Sequence, residues 1–303
     1  MGLDSTTETA APRAESARER KEVAGKLGAR LALAGRLGES TTTVVGLSIV
    51  LFWVAMAILA PVIAPYPPNA TDVLSAGHPT PSAAHWLGTD HLGRDILSRL
   101  LWGARRVLTV APIAVLSAAA VGTLLGLCAG YFGGIVDLAI SRVADILLSF
   151  PVIILYMIVL AMFGSSALNI VLVIAITKAP IIARIVRGLT LDLRNREYVA
   201  AAKMRGESSL YIMLVEILPN ARGPLIVDMC LRMGYTTITI GVLGFLGIGL
   251  PPPDPDWGGM VKDTYGMMSV WPHMSLIPCA AISSLVVGFN LLAIGLRETA
   301  LRE

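Results

Sequence analysis

Charge is scarce in this sequence. Only 15% of its 303 residues are Asp, Glu, Lys or Arg, against 55% apolar, and the mean hydropathy is +0.71. A soluble domain carries roughly 25% charged residues, so this chain cannot cover itself with polar surface, and a soluble globular protein is excluded. The net charge of +3 is too small to mark a nucleic-acid binder. Cysteine is also rare. Cys128, Cys230 and Cys279 lie in apolar runs with no paired spacing, which argues against a disulfide framework or a thiolate metal site. His78, His85, His91 and His273 show no tight ligand spacing and read as solvated or structural. No Gly-x-x-x-x-Gly-Lys-Ser/Thr stretch occurs, so nucleotide phosphates are not cradled by that route. No Ser/His or Asp/Asp pair falls within the apolar runs, which weighs against an intramembrane enzyme.

What the chain has in quantity is apolar runs of membrane-spanning length. A helix needs about 20 predominantly apolar residues to cross the hydrocarbon core. Runs over 44–64, 107–130, 144–164, 168–186, 224–247 and 276–296 qualify, predicting an all-α polytopic membrane protein with six transmembrane helices. Pro151 is expected to kink the third near its start, and Lys178 and Pro180 interrupt the fourth. Residues 1–40 form a polar tail with no apolar run of signal-peptide type before Val44. Within it, Ala17 to Leu37 suits either a basic amphipathic helix on an anionic bilayer or a solvated tail. Residues 41–303 form the membrane domain.

Lys and Arg set the orientation. With the N-terminus in the cytoplasm, inside segments carry 16 basic residues and outside segments 5, Arg94, Arg99, Arg105, Arg106 and Lys262. Both termini are therefore expected inside, together with a polar loop over 187–222. Pro65–Arg106 and Pro251–Pro272 become the outside surfaces.

That inside loop contains EYVAAAKMRGESSLYIMLVEILPN. Glu197–Arg205 is rich in helix formers, with Glu197 at its start and Lys203 and Arg205 near its end, as the helix dipole favours. Gly206 supplies a stop, Ser208 or Ser209 a cap for a second helix, and Pro219 is expected to close that helix before the fifth span. A short rigid helix with small side chains at Ala201 and Ala202 suits docking into a groove on another protein. The blander reading is a solvated connector. A DNA-binding helix-turn-helix would need a recognition helix free to enter a groove, which two membrane tethers deny.

Asp228 and Arg232 stand four apart in the fifth span and share a face. They make either a structural ion pair or part of a polar path.

The stretch from Ala200 to Gly206 followed by Ile217-Leu218-Pro219-Asn220 resembles the cytoplasmic coupling loop of bacterial ABC importer permeases. HWLGTDHLGRDILSRLLWGAR (His85–Arg105), GYFGGIVDLAISRVADILLSFP (Gly130–Pro151), ARIVRG (Ala183–Gly188), GFLGIGLPPPDPDWGGM (Gly244–Met260) and FNLLAIGLRE (Phe289–Glu298) are similar to the C-type permease subunit of dipeptide, oligopeptide and nickel importers. The resemblance runs from about Thr41 to the C-terminus. It departs from the family at Ala200, where the loop's first Glu would stand, at Glu216, and at Ile240, where many relatives carry Glu.

The resemblance implies a subunit of the bacterial cytoplasmic membrane without catalysis of its own. Its expected partners are a second, B-type permease, two ATPase subunits that hold ATP and magnesium, an extracytoplasmic substrate-binding protein, the lipid bilayer and a peptide cargo. Nickel or another small solute is the alternative cargo. A self-contained secondary transporter or channel is the alternative of another class. The resemblance assigns Glu197, Tyr198, Ala201, Ala202, Gly206 and Pro219 to ATPase coupling, and no cofactor or metal to this chain.

Overall fold

A computed structural model describes residues 40–251 and 254–300. Among them the structure is helical, with two isolated bridges, Thr71 to Arg94 and Thr89 to Asp95, in place of a sheet. The calls on residues 1–39, including the amphipathic helix, lie outside the described residues.

Helix α1 (Thr41–Ile63) starts at Ser40, whose hydroxyl accepts the Thr43 N–H. After a single turn, α2 (Val73–Ala76), the 37-residue α3 (Ile96–Phe132) begins under Asp95, whose carboxylate accepts the Ser98 N–H at 2.7 Å. At about 1.5 Å per residue α3 is roughly 55 Å long. The apolar stretch marked out roughly the C-terminal two-thirds of this helix, and about three further turns lie before it. Helices α4 (Gly134–Ser149) and α5 (Val152–Phe163) follow, then α6 (Ala167–Leu193), α7 (Glu197–Met204), α8 (Ser209–Phe245), α9 (Trp257–Thr264) and α10 (His273–Ala300). Helices α1, α3, α6, α8 and α10 are long and apolar enough to cross a membrane, and the pair α4–α5 makes a sixth if the two count as one.

The third span departs most from expectation. Instead of one kinked helix over 144–164, α4 starts ten residues earlier and meets α5 at 86°. Pro151 lacks an N–H and holds Phe150 in extended conformation (φ −85°, ψ 138°), so the helix stops rather than bends. The fourth departs the other way. Pro180 is buried within α6, which runs unbroken past Lys178 and Pro180 to Leu193. Pro219 does not close a helix either. Ile212–Ile217 form a π-turn in which the Leu218 N–H reaches Met213 O, and Pro219 then occupies the first turn of the α-helix that continues, where a missing N–H costs little.

The tightest packing joins α3 to α6. Ala114, Ala118, Gly122, Gly126 and Gly130 recur every fourth residue along α3, all buried. A methyl group at Gly122 would lie 2.6 Å from Ala179 O, one at Gly126 2.6 Å from Ala183 O, and one at Gly130 2.6 Å from Thr190 Cβ. Small residues at four-residue spacing let helix backbones meet where lipid supplies no hydrophobic drive. A second close approach joins α1 to α10, where Gly46 faces Gly288 O and Leu292 N.

One end of the bundle, the one expected outside, is closed by the 65–95 segment and α9. Trp257 is fully buried, donates Nε1–H to Leu100 O at 2.8 Å and stacks edge-on against Trp53. Arg94 joins Asp90 (2.5 Å) to Asp263 (3.3 Å), and His85 Nδ1 lies 2.9 Å from Asp95.

Candidate functional site

At the opposite end, α7 hangs between the long helices α6 and α8. Its C-terminus is a complete Schellman turn. The Gly206 N–H bonds Lys203 O at 3.0 Å, and the Glu207 N–H bonds Ala202 O at 3.2 Å. Gly206 takes φ +76°, a left-handed conformation that favours glycine. A methyl group there would meet nothing within 4 Å, so the backbone angle, not crowding, selects the residue. Ser208 then caps α8 by accepting the Tyr211 N–H at 3.2 Å.

The two faces of α7 differ sharply. Val199 and Ala202 are 0% exposed and belong to one buried cluster with Leu127 of α3, Val186 of α6 and Ile212, Ile217 and Ala221 of α8. Glu197, Ala200, Lys203, Met204 and Gly206 are exposed, with Met204 at 84%; Tyr198 and Ala201 lie between. The unit therefore buries one face, chiefly against the π-turn of α8, and presents the other. Further ties fix its approach. Lys203 Nζ sits 5.4 Å from the Tyr131 ring centroid, and Arg194 donates to Gly130 O at 2.8 Å. Arg187 grips Asp137 through both carboxylate oxygens, at 2.5 and 2.6 Å. Arg184 pairs with Asp145 beside it.

Of the residues assigned to coupling, Glu197, Tyr198, Ala201 and Gly206 come together on or beside the outward face. Ala202 points inward, its side chain filling the seam between α7 and the long helices. Pro219 is exposed but belongs to the first α-turn after the π-turn. Met204 had no marker in the sequence beyond its place before Arg205 and Gly206. Glu216, a departure from the family pattern, pairs with Arg205 at 3.2 Å and so braces the corner. Ile240, another departure, is 1% exposed and packs in the core.

Within the bundle Arg232 is buried and holds Asp228 with Nε–Oδ2 2.5 Å and Nη2–Oδ1 3.1 Å. Two-pronged pairing engages both carboxylate oxygens and two of the guanidinium's five N–H donors, and sets the two charges against each other. His85 and His273 are held structurally, the latter with Nε2 3.0 Å from Pro79 O.

Comparison with known proteins places residues 122–298 in the family described as the inner membrane component of binding-protein-dependent transport systems. Residues 33–79 match the N-terminal transmembrane domain of oligopeptide transport permease C. The chain is 40% identical over 263 residues to the dipeptide transport system permease protein DppC of Alkalihalophilus pseudofirmus, covering 87% of this chain and 86% of that one. It is 41% identical over 252 residues to the glutathione transport system permease protein GsiD of Pectobacterium atrosepticum, covering 82% and 83%. The DppC of Haemophilus influenzae is 39% identical over 259 residues, covering 84% and 88%.

Proposed function

As the chain belongs to the family of inner-membrane components of binding-protein-dependent transport systems, we propose that it is the C-type permease subunit of an ATP-driven importer of short peptides. Relatives that carry dipeptides and glutathione by name favour a peptide over nickel. A system that depends on a binding protein also argues against a self-contained transporter. The chain supplies half of a pathway completed by a B-type permease. Two ATPase subunits bind ATP and magnesium, an external protein delivers the cargo, and this subunit does no chemistry itself. Both termini face the cytoplasm, on the basic-residue asymmetry.

The observation that carries the coupling assignment is the division of α7. Its inner face is buried on the π-turn of α8, inside a cluster to which α3 and α6 also contribute, so a push on the exposed face is passed to α8 and through that shared cluster to its neighbours. Glu197, Tyr198, Ala201, Met204 and Gly206 form the contact; Ala202 transmits it. Pro219 acts only through the α8 turn it follows.

Gly206→Asp tests this. Nothing lies within 4 Å of the new Cβ, and Asp tolerates left-handed backbone better than most residues. The variant should still co-purify with its partners, and ATP hydrolysis should continue, but uptake in proteoliposomes should be lost. Normal uptake by the variant refutes the contact.

A further inference from the structure

The interior of the bundle holds one more cation than the Asp228–Arg232 pair accounts for. Lys178 is half-buried in the middle of α6, and forms no ion pair or hydrogen bond with another described residue. Ala175 and Ile182, one turn to either side of it, share a buried cluster with Leu225 and Met229 of α8, which lie on the same face of that helix as Arg232. With a rise of about 1.5 Å per residue, Lys178 is about 17 Å along α6 from Ala167, and Arg232 about 20 Å along α8 from Phe245. Ser165, just before α6, donates to Ile248 O, just after α8, at 3.1 Å, so the two helices meet at that end and the two cations lie at similar depth, about half the thickness of a roughly 30 Å hydrocarbon core from it. Asp228 neutralises only one of them. A lysine at that depth is expensive against lipid, and such residues face a bundle interior or a water-filled path.

We propose that Lys178 and Arg232 form a midplane station for the C-terminal carboxylate of a peptide in transit, Asp228 holding the guanidinium while Lys178 supplies the uncompensated charge. This rests on the peptide-import reading and deepens it. Every short peptide with a free C-terminus carries that carboxylate whatever its side chains, and of the groups peptides share it is the one a surplus cation attracts. A single surplus cation attracts it without binding tightly enough to hold it, as a transit site requires. Lys178 is the positioning and recognition residue, and Arg232, already engaged by two carboxylate oxygens, adds field more than contact.

The test uses the complete importer in proteoliposomes, with its receptor protein saturated by a labelled dipeptide or by the C-terminal amide of that dipeptide. Lys178→Gln should lower uptake of the free acid by at least about tenfold, the loss expected for one charge-assisted hydrogen bond. Lys178→Arg should restore most of it, and amide uptake should be the same in variant and wild type. The Lys178→Gln complex should assemble and hydrolyse ATP as before. Equal loss for acid and amide, or no loss, overturns the station while leaving peptide import standing. Failure of Lys178→Gln to co-purify with the second permease also overturns it, assigning Lys178 to a carboxylate on that subunit. Uptake of neither cargo by the wild type removes the peptide reading, and the station with it.

Discussion

Asp256 offers the sharpest physical test of the fold. Its carboxylate caps α9, accepting the N–H groups of Gly258 (3.3 Å) and Gly259 (3.2 Å), and it is packed against the end of α8 so closely that a methyl group at Gly244 would overlap Oδ2. Burial raises its pKa from 3.8 to about 6, against the lowering effect of the two N–H groups and of Arg99, with Asp263 adding a smaller push upward. The folded chain therefore keeps a proton that the unfolded chain gives up at lower pH. The resulting stability is fully present below about pH 3.8, declines as pH rises, and is gone above about pH 6. At about 1.4 kcal/mol per pH unit the loss is about 3 kcal/mol. Asp256→Asn keeps one accepting oxygen for the cap but does not titrate. It forfeits one hydrogen bond, about 1 kcal/mol, so it should be less stable than wild type near pH 4 and more stable by about 2 kcal/mol at pH 7. Melting midpoints of the detergent-solubilised protein, taken from pH 4 to pH 7.5, should cross. A difference between the two proteins that stays constant across that range refutes the buried, proton-linked cap.

Other expectations follow from packing. Gly126→Val places side-chain carbon 2.6 Å from both Ala183 O and Val186 Cβ, forcing α3 from α6 along their closest seam, and should abolish accumulation of folded subunit, read by detergent-resistant monodispersity. Glu216→Gln removes one partner of the half-exposed Arg205, worth at most about 1 kcal/mol, and should leave both stability and uptake near wild type; a large loss would mean that Arg205 depends on that carboxylate.

Much of this was legible in one dimension. Apolar runs marked every long helix, and Gly206 with Ser208 announced the corner beside α7, because a left-handed stop and a side-chain cap are local events. Prolines were not legible in the same way. Pro151 ends a helix, Pro180 sits inside one, and Pro219 enters another after a π-turn. The chemistry of the residue is identical in all three. The outcome depends on whether neighbouring helices hold the backbone straight, as α3 holds α6 through its glycine stripe, or leave it free to turn. The candidate site divides likewise. Ala201 and Ala202 read as equal partners in the sequence, yet one is half-buried on the rim and the other fully enclosed.

By itself the sequence determined the solvent this protein lives in, the rough place of its five long helices, and the presence of a capped helical unit between two of them. Hydropathy and capping act over a few residues, so order along the chain suffices to specify them. Only the tertiary structure decided which apolar face meets protein and which meets lipid, since hydrocarbon tails and leucines are alike to a side chain. It also decided which charges meet, Arg205 with Glu216 and Arg187 with Asp137, and left Lys178 with no counterion among the described residues. Such encounters join residues of different helices, and the packing of those helices sets them.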